Sequence, residues 1–256
     1  MSLQNIKHQY WNILNAIERK RHPRETVLSP HNWQDAIKRF APAHQPTVFI
    51  DGGAHDGAFA RDFSARYRDI QIHAFEPNTE LARALVDNLP EHTSTINHTA
   101  LGATTGHTHF HIGASPMTSS VLASNSNGKS FYHDVIVPRE TLMVPVTTLD
   151  DYAQKHNLNH IHILKLDLQG FELEALKGAK QLLTNKKISC IFTEINFMPF
   201  YEGSALFSDL DNFLRNLGYR LHNFYNLATR NSNNQLTGGD ALFIPDAAQQ
   251  ACTNAA

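Results

Sequence analysis

Five side chains stand where a short apolar run stops, and each is of a type that binds charge or moves protons. Asp51 closes the run in "TVFIDGGAHDG" (47–57), Glu76 closes "IQIHAFE" (70–76) and Asp167 closes "IHILKLD" (161–167). Glu194 stands near the end of "ISCIFTEI" (188–195), and Lys165 lies two residues before Asp167. Residues i and i+2 of a strand share a face, which puts Lys165 beside Asp167. A lysine inside an apolar strand is costly unless paired, and the expected partner is Asp167 or Glu194. A carboxylate there can take a proton from an acceptor hydroxyl or bind it, and a lysine of lowered pKa is the second candidate base. Asp167, Glu194 and Lys165 are thus the catalytic candidates. In the plainer reading, Asp167 caps the following helix and an ion pair only organises the strand ends.

These residues can act together only if their strands end side by side. From residue 47 onward, expected strands at 47–51, 70–76, 92–100, 161–167 and 188–195 alternate with helical patterns at 57–67, 78–89, 171–183 and 204–218. Between the third and fourth strands come a half-exposed strand at 106–113, a polar loop at 115–130, β character at 141–146 and a capped helix at 147–156. Segments 219–226 and 240–245 are expected to pair as an antiparallel end to the sheet. The pattern predicts an α/β fold: a doubly wound, mostly parallel, Rossmann-like seven-stranded sheet with an N-terminal helical extension. The extension covers 1–45, where Ile6, Tyr10, Ile13 and Ile17 mark an amphipathic helix over 3–20. A short helix at 32–40 and the linker "APAHQP" (41–46) follow. The main domain spans 46–246, and 247–256 is expected to fray.

In such a sheet, ligands bind beyond the carboxyl ends of the strands at the switch point. The "DGGAHDG" loop belongs there, with glycines that admit a close backbone approach. Glu76, at the end of the next strand, suits the two hydroxyls of a ribose. Two adenosine cofactors fit that far. A dinucleotide sets its pyrophosphate on a loop free of negative charge, whereas Asp51 and Asp56 flank this one. S-adenosyl-L-methionine carries a sulfonium and an ammonium, which acids favour. The loop's charge selects the sulfonium cofactor over NAD, against a bland alternative of a glycine-rich turn with a capping aspartate.

The ordered motifs "FIDGGAHDG", "AFEPN", "ALG" (100–102), "VTTLDDY" (146–152), "ILKLDLQGFELEALKGA" (163–179), "FTEIN" (192–196) and "LGYRL" (217–221) resemble the FkbM family of S-adenosylmethionine-dependent methyltransferases. The resemblance runs from about residue 47 to 245. It implies the class I methyltransferase fold and an O-methyltransferase acting on a hydroxyl of a small molecule, sugar or polysaccharide. Carried over by position, it implies that Asp51, Gly53 and Gly57 form the amino-acid end of the cofactor site and that Glu76 holds the ribose. Ala54, His55, Pro77 and Ala100 join that expected set. Many relatives have Glu where Gln169 stands, so Gln169 is given no proton-transfer role. The alternatives are a cofactor-binding protein without activity and an NAD-dependent dehydrogenase.

Lys+Arg 22 against Asp+Glu 24 gives a net charge of -2, which argues against a nucleic-acid partner. The basic run "ERKRHPR" (18–24) reads as a solvated helix end before Pro23. Cys190 and Cys252 imply no disulfide framework. No segment reads as a membrane span, and Asn97 in its sequon lacks a secretion signal, so the expectation is a cytoplasmic protein. A homodimer is possible through the amphipathic 3–20 helix. His107, His109 and His111 alternate, but the outer Cα atoms would stand ~13 Å apart along a strand, so a polar face and no metal site is expected. Asp150 and Asp151 fall in the first turn of a helix, where acids are structural.

Overall fold

The computed structural model describes residues 33–40, 47–67, 69–230 and 233–247. The expected helix over 3–20, the basic run 18–24, the linker 41–46, Cys252 and the tail beyond residue 247 lie outside them. Among the described residues, no helix is long and apolar enough to cross a membrane.

Five strands lie parallel in the order β3 (Ser94–Asn97), β2 (Gln71–Phe75), β1 (Val48–Gly52), β7 (Ile161–Leu166), β8 (Ile188–Asn196). β10 (Leu236–Pro245) continues the sheet antiparallel to β8, and β9 (Tyr219–Thr229) pairs with β10 at the edge. This is the expected seven-stranded, mostly parallel sheet. Strand order reverses between β1 and β7, so the ligand crevice of the fold opens at their carboxyl ends.

Helices cover both faces. On one lie α1 (Trp33–Phe40), α2 (Ala58–Arg66) and α3 (Thr79–Asn88), which bury Ala36, Ile37, Phe63 and Leu85 against Phe49 and Ile72. On the other lie α5 (Leu149–Lys155), α6 (Glu172–Lys177), α7 (Lys180–Thr184) and α8 (Phe207–Asn216). The part of the extension that is described, α1, packs on this chain's own sheet and the helix beside it: Trp33 lies 4.9 Å from Phe192 of β8 and stacks on Phe59 of α2, with ring centroids 4.5 Å apart. Strands covered on both sides must be apolar, and the whole of β1 is buried. Phe49 and Ile50, at about 1.5–3 kcal/mol each when fully buried, hold β1 firmly enough to carry a buried acid at the next position.

The segment between β3 and β7 departs from expectation. The predicted strand over 92–100 divides, because the chain leaves the large sheet after Asn97 and Ala100–Leu101 (β4) joins a second one. That small sheet has the order β4-β6-β5, with β5 (Gly106–Gly113) and β6 (Pro138–Thr147) antiparallel. The predicted loop 115–130 contains a 3₁₀ turn at Pro116–Thr118 and most of α4 (Ser126–Tyr132), which is capped where Asn125 Oδ1 accepts from Gly128 N at 2.9 Å. His107 and His109 are exposed on β5, while Phe110 turns into the apolar core of the small sheet.

The single helix expected over 171–183 is two. A Cβ on Gly178 would stand 2.1 Å from the Gly102 carbonyl oxygen, so only glycine lets the backbones meet there. The Gly178 carbonyl then accepts from Asp150 N. Asp150 takes the Gln181 and Leu182 amides at 2.8 and 3.0 Å, capping α7. Thr148 Oγ1 caps α5 by accepting from Asp151 N. The Asp151 carboxylate accepts from Thr105 Oγ1 at 2.5 Å, so both acids serve the structure.

Candidate active site

Asp51 and Lys165 are direct register partners on the adjacent parallel strands β1 and β7, so their side chains project from one face. Lys165 Nζ stands 3.1 Å from Asp51 Oδ1 and 4.0 Å from Asp167 Oδ2. It also donates to the Gly53 carbonyl at 2.7 Å. Burial opposes the charge on Lys165, but Asp51 and Asp167 outweigh it and hold the ammonium ionised above its usual range. Burial lifts the Asp51 carboxyl above its usual range, and Lys165 offsets only part of that. The approach is oblique: neither oxygen of Asp51 meets an aligned hydrogen-bond donor. The lysine's main partner is thus Asp51, rather than Asp167 or Glu194. Register decides this, and it is invisible in the sequence.

The glycine loop serves packing as much as any ligand. Gly53 has φ +73, and a Cβ there would lie 1.9 Å from the Asp167 carbonyl oxygen. The close crossing seats the end of β7 against the end of β1, where Asp167 N donates to the Gly52 carbonyl. The amides of Gly53 and Ala54 both donate to the Phe75 carbonyl, locking the loop to β2. Glu76 then accepts from His55 N at 2.9 Å and Asn78 N at 2.8 Å, one on each carboxylate oxygen. Burial pushes its carboxyl upward, opposed by those two amides. Each oxygen keeps further accepting capacity.

A second group of acids gathers where β7 and β8 end. Gln169 Nε2 donates to Asp167 Oδ1 at 2.9 Å and to Glu194 Oε2 at 3.1 Å. On its other side, Gln169 Oε1 accepts from the Tyr201 hydroxyl at 3.0 Å. With two carboxylates on one side and a hydroxyl on the other, this amide orientation satisfies every group. The residue sits at φ +53, a region that costs a non-glycine residue about 1–2 kcal/mol. Its own carbonyl accepts from Ser120 Oγ at 2.9 Å, which ties it to the second sheet's loop.

Burial, then Asp167, Glu172 and Asp240, hold the Glu194 carboxyl well above the usual range. Asp240 faces Glu194 in register across β10 and β8, and burial pushes it to about 6. Glu172, fully buried at the start of α6, accepts from Leu168 N and Gly170 N and is pushed by burial to about 7.

Both groups open into one cavity of about 820 Å³. Gly53, Ala54 and His55 line it from the loop, Glu76, Pro77 and Ala100 from β2 and β4, and Lys165, Asp167 and Glu194 from β7 and β8. Two expected members do not line it. Asp51 is fully buried behind Lys165, and Gly57, at φ +78, starts α2. The expected acidic floor is therefore supplied by Glu76, Asp56, Asp167 and Glu194, with Asp51 neutralised beneath. Sequence reasoning left out Gln169, Tyr201 and the cavity-lining Tyr132. Gln169 lay inside the most distinctive motif, but a neutral amide carries no signal until its nitrogen is seen to bridge two acids.

Residues 51–221 match the Methyltransferase FkbM domain. A 173-residue stretch is 27% identical to the 2-O-methyltransferase NoeI of Sinorhizobium fredii, spanning 61% of this chain and 66% of that relative, just under two thirds of its length. Solved structures with similar folds include a SAM-dependent methyltransferase from Aquifex aeolicus, at 12% identity, 84% of this chain, 90% of that chain and a TM-score of 0.42. Another is the human methyltransferase 10 domain containing protein, at 13% identity, 87% and 83% coverage and a TM-score of 0.43.

Proposed function

This chain belongs to the FkbM methyltransferase family and uses S-adenosyl-L-methionine, and from that premise we propose that it methylates a hydroxyl oxygen of a small molecule or glycan. The observation that carries the proposal is the joining of two sets of residues in one cavity: Glu76 at one end, and the Asp167–Gln169–Glu194 group at the other.

The residues fit the cofactor. Glu76 presents a carboxylate with accepting capacity for ribose hydroxyls, and Phe75, Pro77 and Leu101 give an apolar surface for a purine. His55 Nε2 is buried without a hydrogen-bond partner, a polar atom that a ligand would satisfy. The acids Glu76, Asp167 and Glu194 suit a cation, and among the described lining residues the one Lys or Arg, Lys165, is committed to Asp51 rather than free for a pyrophosphate. When bound, the cofactor supplies a methyl group already activated as an electrophile.

The protein's part is alignment and proton removal. With Glu76 holding the cofactor, Asp167 or Glu194 would bind the acceptor hydroxyl and take its proton. Gln169 holds the two acids in place. Asp167→Asn and Glu194→Gln are each expected to lower methyl transfer from labelled S-adenosylmethionine about 10²-fold or more, with S-adenosylhomocysteine affinity nearly unchanged. Undiminished transfer in both variants would remove these acids from the chemistry.

A further inference from the structure

The wall opposite the strand ends has a composition of its own. It is built by the 3₁₀ turns Pro116–Thr118 and His133–Ile136, stitched together where Ser115 N and Thr118 Oγ1 donate to the Val135 carbonyl. The Tyr201 hydroxyl stands 3.1 Å from the Thr118 carbonyl and shares its one proton between that oxygen and Gln169 Oε1, which fixes the same lip to the side chain that contacts Gln169. Of the six large apolar side chains exposed among the described residues, three fall here: Met117 at 70%, Val135 at 44% and Val137 at 39%. Met117 and Val135 line the cavity mouth, continuous with Phe110, Val121 and Phe171 inside. Single exposed apolar residues need no explanation, but a cluster at a cavity mouth marks a binding surface.

Charge narrows the occupant. Lys165 is the one Lys or Arg among the described lining residues, and its ammonium is held by Asp51 and the Gly53 carbonyl. Lys129 and Arg139, on the elements flanking the lip, do not line the cavity. Arg61, outside the lining, is held at Asp56, with its guanidinium 3.6 Å from that carboxylate. An anionic group carried past Asp167 and Glu194 would lose its hydration with no cation among the described lining residues free to replace it.

We infer that the acceptor is an uncharged molecule with an apolar face, seated on Met117 and Val135, and that phosphorylated or carboxylated alcohols are excluded. The inference rests on the methyltransferase reading above for its word "acceptor", but the surface itself can be tested without turnover. With methionine methyl groups labelled with ¹³C and the Met117 signal assigned by its loss in Met117→Leu, 2-naphthalenemethanol is titrated against the full chain. Sodium 2-naphthoate and 2-naphthyl phosphate follow as anions of the same ring, each with and without S-adenosylhomocysteine.

The neutral alcohol is expected to move the Met117 signal saturably, with Met143 on the outer surface as an unmoved control, and both anions to bind at least tenfold more weakly. Equal or tighter binding of either anion overturns the inference. So does a Met117 signal that no probe moves, or one that moves only together with Met143. Failure of S-adenosylhomocysteine to bind would instead count against the methyltransferase reading, and the probe titrations would still decide the surface.

Discussion

The two walls of the cavity are made in opposite ways. The strand-end wall is fixed by elements that cannot move separately: a buried ion pair, a glycine whose Cβ would strike the neighbouring strand, and backbone amides that close on Glu76. The lip is made of short turns, anchored through Thr118 and the buried Ile136, that carry exposed Met117 and Val135. In the proposed function, the rigid wall serves a donor that never changes, and the lip serves the acceptor, where a related enzyme would need a different surface. Methionine suits that role, since its unbranched side chain adapts to irregular partners.

The sharpest way to break the comparison is to perturb each wall for stability. Lys165→Met strands a buried aspartate and is expected to cost about 3–5 kcal/mol, read by urea denaturation. Val135→Ser, on the lip, should stay within about 0.5 kcal/mol of the parent. Similar losses at both sites would erase the distinction.

A smaller effect is expected at Gln169, where the two walls are joined. Gln169→Leu removes the donors to Asp167 and Glu194. Turnover should fall at least tenfold, with cofactor affinity kept. The rising limb of the pH–rate profile should also move to higher pH, because Glu194 loses a hydrogen bond that favours its charged form. A lower rate with an unmoved profile would make Gln169 a packing residue only.

The smallest expected effect is on the pH dependence of stability. Asp240, pushed to about 6 and so above its unfolded value, contributes stability that is full below its unfolded pKa and is lost as pH rises through 6. His73, pushed down to about 4 by burial, acts in the opposite sense, its contribution being lost as pH falls from its unfolded value through 4. The difference between parent and Asp240→Asn is therefore the diagnostic. Melting temperatures of the two should converge toward pH 4 and separate toward pH 7, with the variant the more stable at the higher pH. Parallel curves would show that burial does not shift Asp240.

The same contrast governs what the sequence revealed. Apolar runs ending in acids, and their alternation with helices, specified the large sheet, because strands covered on both faces leave a strong and local pattern. Glu76, Asp167 and Glu194 were legible for that reason. The Asp51–Lys165 pair was not, since it depends on register between strands far apart in the chain. The lip escaped as well: residues 115–136 are polar on average, and their turns and α4 are set by caps such as Asn125 and by contacts with Phe200 and Tyr201 from a distant segment. Gly178 divided a helix that periodicity alone would continue, because the reason lies in the backbone at Gly102.

The claim on which the account turns is that Glu76 holds a cationic adenosyl donor in this cavity, and calorimetric titration tests it most directly. S-adenosylhomocysteine should bind the parent chain while NAD gives no heat, and Glu76→Gln should weaken S-adenosylhomocysteine at least tenfold, about 1.4 kcal/mol. Binding of NAD in its place, or full affinity in Glu76→Gln, would contradict it.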